Sequence, residues 1–93
     1  MITGFADKET AKVYSGDFSR RLPPNIQRTA FLKLLYMDTV SLLEDLRSPP
    51  SNHLEQFHGR REGQYSIRIN RQFRICFTVS EGGFDNVEIV DYH

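Results

Sequence analysis

The chain has 93 residues, enough for one hydrophobic core but not for two. Its single cysteine excludes an internal disulfide, no Cys/His cluster has zinc-finger spacing, and no stretch approaches the roughly 18 apolar residues of a membrane span. Twelve basic and twelve acidic side chains cancel, but unevenly: residues 58–74 carry five Arg against one Glu, and residues 75–93 carry four acids and no base.

The first five residues lead straight into charged ones, so no signal peptide is visible and a cytoplasmic protein is expected. Residues 2–5 suit a short edge strand. Asp7 is placed to cap a helix through Lys8-Glu9-Thr10-Ala11-Lys12-Val13-Tyr14, which Gly16 closes. A polar loop leads to Pro23-Pro24, where proline fits a first helical turn. Ile26, Ala30, Leu34 and Met37 then recur at helical spacing with Phe31 and Leu35 beside them, a face wide enough to lie across a sheet. Ser41-Leu42-Leu43-Glu44 has capping-box spacing and opens a short helix through Leu46, which Pro49 and Pro50 end.

The period then becomes alternating. Leu54 and Phe57 suggest a short strand. Tyr65, Ile67 and Ile69 alternate with Ser66, Arg68 and Asn70. Asn70-Arg71 is a turn, after which Phe73, Ile75, Phe77 and Val79 alternate with Arg74, Cys76 and Thr78. Cys76 reads as a packed residue of this strand rather than a nucleophile. Glu81-Gly82-Gly83 makes a second turn before a last strand over residues 87–92. The sum is an α+β fold, residues 1–93 forming a single domain with N-terminal helices packed on one face of a mainly antiparallel twisted sheet. Phe18, Leu54, Phe57 and Phe84 are expected to leave apolar surface that one helix layer does not cover.

Two features point to chemistry. If Ile67, Ile69, Phe73, Ile75 and Phe77 face the helices, Arg68 and Arg74 face away from them on neighbouring strands. There they can converge on one phosphate or pair with Glu81 or Glu88. The chain also ends on Asp91-Tyr92-His93, an acid, a phenol and an imidazole. RNA self-cleavage needs a base for the 2′-OH, positive charge on the phosphorane, and an acid for the departing 5′-oxygen. Arg68 and Arg74 can supply the second need, and Asp91, Tyr92 and His93 the first and third. No metal or other cofactor is required. The terminal carboxylate beside His93 favours imidazolium. Alternation puts Asp91 and His93 on one side of the strand and Tyr92 on the other. His53 reads as an exposed polar residue.

Residues 45–50 (Asp-Leu-Arg-Ser-Pro-Pro), residues 59–69 and the ending at 87–93 together resemble the HigB, or plasmid-maintenance killer, branch of the RelE/ParE toxins. The resemblance implies a RelE-like fold and a type II toxin, a ribosome-dependent mRNA endonuclease acting in the 30S decoding site. It also implies neutralisation by a HigA-like helix-turn-helix antitoxin, through which alone operator DNA would be met. The active-site residues carried over are Asp91, Tyr92 and His93, with Arg68 and Arg74 on phosphate. Arg60, Arg61, Arg71 and His58 are further RNA contacts. Where some members carry a His, and a Lys three residues later, this chain has Glu55 and His58. A carboxylate at 55 would repel phosphate, and a neutral net charge implies weak ribosome binding and mild toxicity. The runner-up is a non-catalytic ParE-like inhibitor of gyrase. A plain RNA-binding module would instead need exposed aromatics for base stacking.

Overall fold

The computed structural model describes residues 1–61 and 63–92, the side chain of Arg61 excepted. Helix α1, Lys8–Tyr14, starts where expected: the Thr10 N–H donates to Asp7 Oδ1 at 2.7 Å, satisfying a helix-end donor. Gly16, at φ 86°, closes it in the left-handed region. The following loop is fastened by Gln27. Its Oε1 accepts from Ser19 N–H (2.9 Å), and its Nε2 donates to Ser19 O (2.7 Å) and Leu22 O (2.9 Å).

Helix α2, Pro24–Thr39, has proline in its first turn and buries Ile26, Ala30, Leu34 and Met37, the periodic positions. Phe31 is half-buried, but Leu35 is exposed, so the buried stripe is narrower than the sequence suggested. The segment after it is a 3-10 turn, Leu43–Arg47, rather than a helix opened by Ser41 and Glu44. Asp45 is the capping acid, accepting from Leu42 N–H. A second 3-10 turn, Pro50–Asn52, ends at His53, whose φ of 44° is left-handed.

Strands β1 (Glu55–Gln56), β2 (Gln64–Arg68), β3 (Phe73–Ser80) and β4 (Gly83–Asp91) follow, with a 3-10 turn at Gly59–Arg61 between the first two. Among the described residues they form one antiparallel four-stranded sheet in the order β1-β2-β3-β4. The β2–β3 turn is held by Asn70, whose Oδ1 accepts from both Gln72 N–H (2.8 Å) and Phe73 N–H (2.7 Å), an Asx-turn. At the β3–β4 turn, Gly83 is required by contact: a Cβ there would lie 2.0 Å from the Met1 carbonyl oxygen. Residues 2 and 5 form isolated parallel bridges to Phe84 and Val87, so the N-terminal segment runs along β4 without forming a full strand.

One face of the sheet carries Ile67, Ile69, Phe73, Ile75, Phe77, Val87 and Ile89 into a core shared with Val13 and the α2 stripe. Thr10 ties α1 to β4 by accepting the Ile89 N–H at 2.9 Å. Phe57 and Phe84 belong to the buried set, contrary to the expectation that they leave apolar surface. Phe84 packs edge-on against Phe77, with ring centroids 5.2 Å apart. The exposed large apolar side chains include Phe18, Leu32, Leu35, Tyr36 and Leu42.

Candidate functional site

With the core residues of β2 and β3 facing the helices, alternation turns Arg68 and Arg74 to the opposite face. The register sets them directly across from one another. Like charges so placed on neighbouring strands destabilise a sheet unless something anionic lies between them. Arg74 is buried and its guanidinium is fixed. Nε donates to Ser66 Oγ at 2.6 Å, and Nη2 donates to the His53 carbonyl and, at 3.4 Å, to Ser66 O. A carboxylate oxygen of the half-exposed Glu55 lies 4.0 Å from its Nη1. Neither Arg68 nor Arg71 has a hydrogen-bond or ionic partner among the described residues.

The Tyr92 ring lies against the Arg74 guanidinium. Its centroid is 5.6 Å from Arg74 Cζ, and the ring also packs at a tilt against Phe57, centroids 5.6 Å apart. A cation over an aromatic face is attracted by the ring quadrupole, so Tyr92 helps to orient the guanidinium. The Tyr92 N–H donates to Gln72 O (2.6 Å), which holds the end of the chain to the β2–β3 turn. These groups enclose a cleft of about 290 Å³ lined by His53, Glu55, Arg68, Asn70, Arg71, Arg74 and Tyr92.

Four of the nine residues singled out from sequence therefore meet in one place: Arg68, Arg71, Arg74 and Tyr92. Asp91 does not line the cleft; its Oδ2 accepts from Gln72 Nε2 at 3.0 Å on the exposed turn. His58 and Arg60 are exposed beside the Gly59–Arg61 turn and do not line the cleft, and the Arg61 side chain lies outside the described residues. His93 lies outside the described residues. His53, Glu55 and Asn70 complete the lining, Glu55 at the position that the resemblance had marked. His53 belongs to no strand, and its position follows from the left-handed bend that ends the Pro50–Asn52 turn. Cys76 is buried, as its place in an apolar strand suggested.

A fixed buried guanidinium, a second one across the strand, a third in the turn, and a carboxylate, imidazole and phenol around one hollow can bind a phosphodiester and exchange protons with it. Comparison with known proteins identifies the family. The family model of HigB-like toxins, described as the RelE-like toxin of the type II toxin-antitoxin system HigB, matches residues 3–93. Toxin HigB-1 of Vibrio cholerae is 37% identical over 83 residues, covering 88% of this chain and 87% of that one. An uncharacterized protein of Haemophilus influenzae is 32% identical over 84 residues, covering 89% and 83% respectively. The chain belongs to the HigB-like family of RelE-like toxins, the toxin half of a type II toxin-antitoxin system.

Proposed function

We propose that the protein is a metal-independent endoribonuclease that cleaves mRNA on the ribosome and so arrests translation and growth. The observation that carries this reading is the Arg68–Arg74 pair, two like charges held face to face beside Tyr92, one of them buried. A fold that keeps such a pair gains from it when a phosphate sits between the guanidiniums.

The chemistry follows from the needs of the phosphorane. The 2′-oxygen attacks the adjacent phosphorus as its proton passes to a base. Arg68 and Arg74 stabilise the charge gathering on the non-bridging oxygens. The bond to the 5′-oxygen then breaks as an acid protonates it. The products are a 2′,3′-cyclic phosphate and a free 5′-hydroxyl. Tyr92 and His93 are proposed as the proton-transfer groups, with Asp91 positioning the strand end through Gln72. Glu55 and His53, both at the cleft wall, are further candidates for the base. Arg71 adds charge at the rim, while Arg60, Arg61 and His58 are proposed to meet RNA backbone further out. Arg68, Arg71 and Arg74 provide the charge a divalent ion would otherwise supply, so activity in EDTA is expected once ribosome integrity is controlled.

The partner proposed for control is a HigA-like helix-turn-helix antitoxin, which would carry the complex to operator DNA. Leu32, Leu35 and Tyr36, exposed on α2, are apolar surface such a partner can cover. The reading is tested by measuring mRNA cleavage on programmed ribosomes. Arg68→Ala and Arg74→Ala should each slow cutting by roughly 100-fold, the scale of losing one preorganised donor to developing charge. Arg20→Ala, in the polar loop, should change little. Unchanged cleavage in both strand variants would remove the pair from the site, and equal losses in all three would indicate diffuse attraction instead.

A further inference from the structure

A second hollow, of about 410 Å³, adjoins the arginine cleft and shares His53, Arg68 and Asn70 with it as a common wall. Its remaining lining is Thr29 and Lys33 from α2, Ser51 from the Pro50–Asn52 turn, and Ile69. Thr29 and Lys33 are one helical turn apart and share a face of α2. Lys33 is half-buried, and burial holds its amine below the ordinary lysine range. It has no carboxylate partner among the described residues and donates to Asn52 Oδ1 at 2.5 Å. An ammonium has three N–H donors, so this bond leaves donors for a ligand.

We propose that this hollow is a second nucleotide subsite, in which Lys33 binds the phosphate flanking the scissile one while Thr29, Ser51 and Asn70 meet the base or ribose. The inference rests on the nuclease reading and extends it. A volume of 410 Å³ lies within the usual range for small-ligand sites. The composition suits a nucleotide: two hydroxyls and an amide offer donors and acceptors, and Lys33 and Arg68 offer positive charge to a phosphate. Arg68 lies in the wall common to both hollows, so a strand leaving the arginine pair enters the Lys33 hollow without crossing an acidic side chain. Glu55 is confined to the first hollow. The preference of the enzyme for particular nucleotides beside the cut would then originate partly on α2.

The test is an NMR titration of the purified toxin with inorganic phosphate and with a 2′-O-methyl trinucleotide, which lacks the attacking hydroxyl. Phosphate should shift the resonances of residues 66, 68, 74 and 92 alone. The trinucleotide should also shift residues 29, 33, 51 and 69. Lys33→Met should weaken the trinucleotide by about tenfold, the scale of one charge-assisted hydrogen bond, and leave phosphate affinity unchanged, while the melting temperature falls modestly with loss of the bond to buried Asn52. The salt slope should fall by about one, and Lys33→Arg should restore both. Unchanged trinucleotide affinity in Lys33→Met overturns the subsite, and the nuclease reading survives if Arg74→Ala still slows cleavage on ribosomes. A lowered melting temperature with loss of phosphate binding assigns Lys33 a structural role and also overturns it. A trinucleotide that never shifts the Lys33 group overturns it too. If the unaltered protein also fails to cut mRNA on ribosomes, the nuclease reading falls with it.

Discussion

Tyr92 does two jobs that one substitution can separate. Its ring packs on Phe57 and over Arg74, and its hydroxyl is one of the proposed proton-transfer groups. Tyr92→Phe keeps the ring and removes the hydroxyl. The expected result is a native melting temperature with cleavage slowed by about 100-fold, the usual scale of lost general acid–base assistance. Cleavage at the original rate would reduce Tyr92 to a packing residue for the guanidinium. Outside the cleft lining, Asp38 shows a structural use of charge. It accepts from Tyr14 Oη at 2.7 Å and from Ile2 N–H at 3.0 Å, and these bonds hold its carboxyl below the ordinary range, the tyrosine bond contributing most. A lowered folded-state pKa means that the stabilisation is complete above the ordinary value of 3.8 and fades as pH falls through the lower folded value. Asp38→Ala should therefore cost about 2 kcal/mol in urea melts at pH 7. The difference should shrink once the carboxyl of the unaltered protein is protonated. A constant difference down to the most acid pH would show that packing, not the charge, is responsible.

At the level of elements, what could be read from the sequence was whatever obeys a period. Alternation placed Arg68 and Arg74 together on the face away from the helices, and the 3.6-residue repeat identified the buried positions of α2. Asp7 and Gly16 marked both ends of α1 because capping is local chemistry. The errors fell where no period applies. Ser41 and Glu44 have the spacing of a capping box, but the segment tightens into a 3-10 turn and Asp45 takes the role. His53 and Glu55 reach the cleft through a left-handed bend and a two-residue strand, neither of which leaves a periodic trace. The end of β4 shows both outcomes. The same alternation that separates neighbouring side chains puts Tyr92 over Arg74 and leaves Asp91 with Gln72 on the turn. Removing residues 91–93 should abolish growth inhibition on induction while the circular dichroism spectrum stays native, because Asp91 and Tyr92 are exposed and little of the core goes with them. Full toxicity from a folded truncated chain would show that the terminal groups take no part.

For the whole molecule, zero net charge is a poor guide to its surface. The sum hides a segment with five arginines, three of which, Arg68, Arg71 and Arg74, surround one cleft. Local field, not the total, sets what such a cleft binds. The central claim is that this cleft holds an RNA phosphate while the neighbouring 2′-oxygen attacks it. The most direct measurement compares two messages on programmed ribosomes, one all-ribose and one carrying a single 2′-deoxyribose at the scissile nucleotide. The account predicts that the all-ribose message is cut, in EDTA-tolerant fashion and with a 5′-hydroxyl on the downstream fragment, and that the substituted message is not cut at that position. A cut at the deoxy position, or an intact all-ribose message, would contradict it.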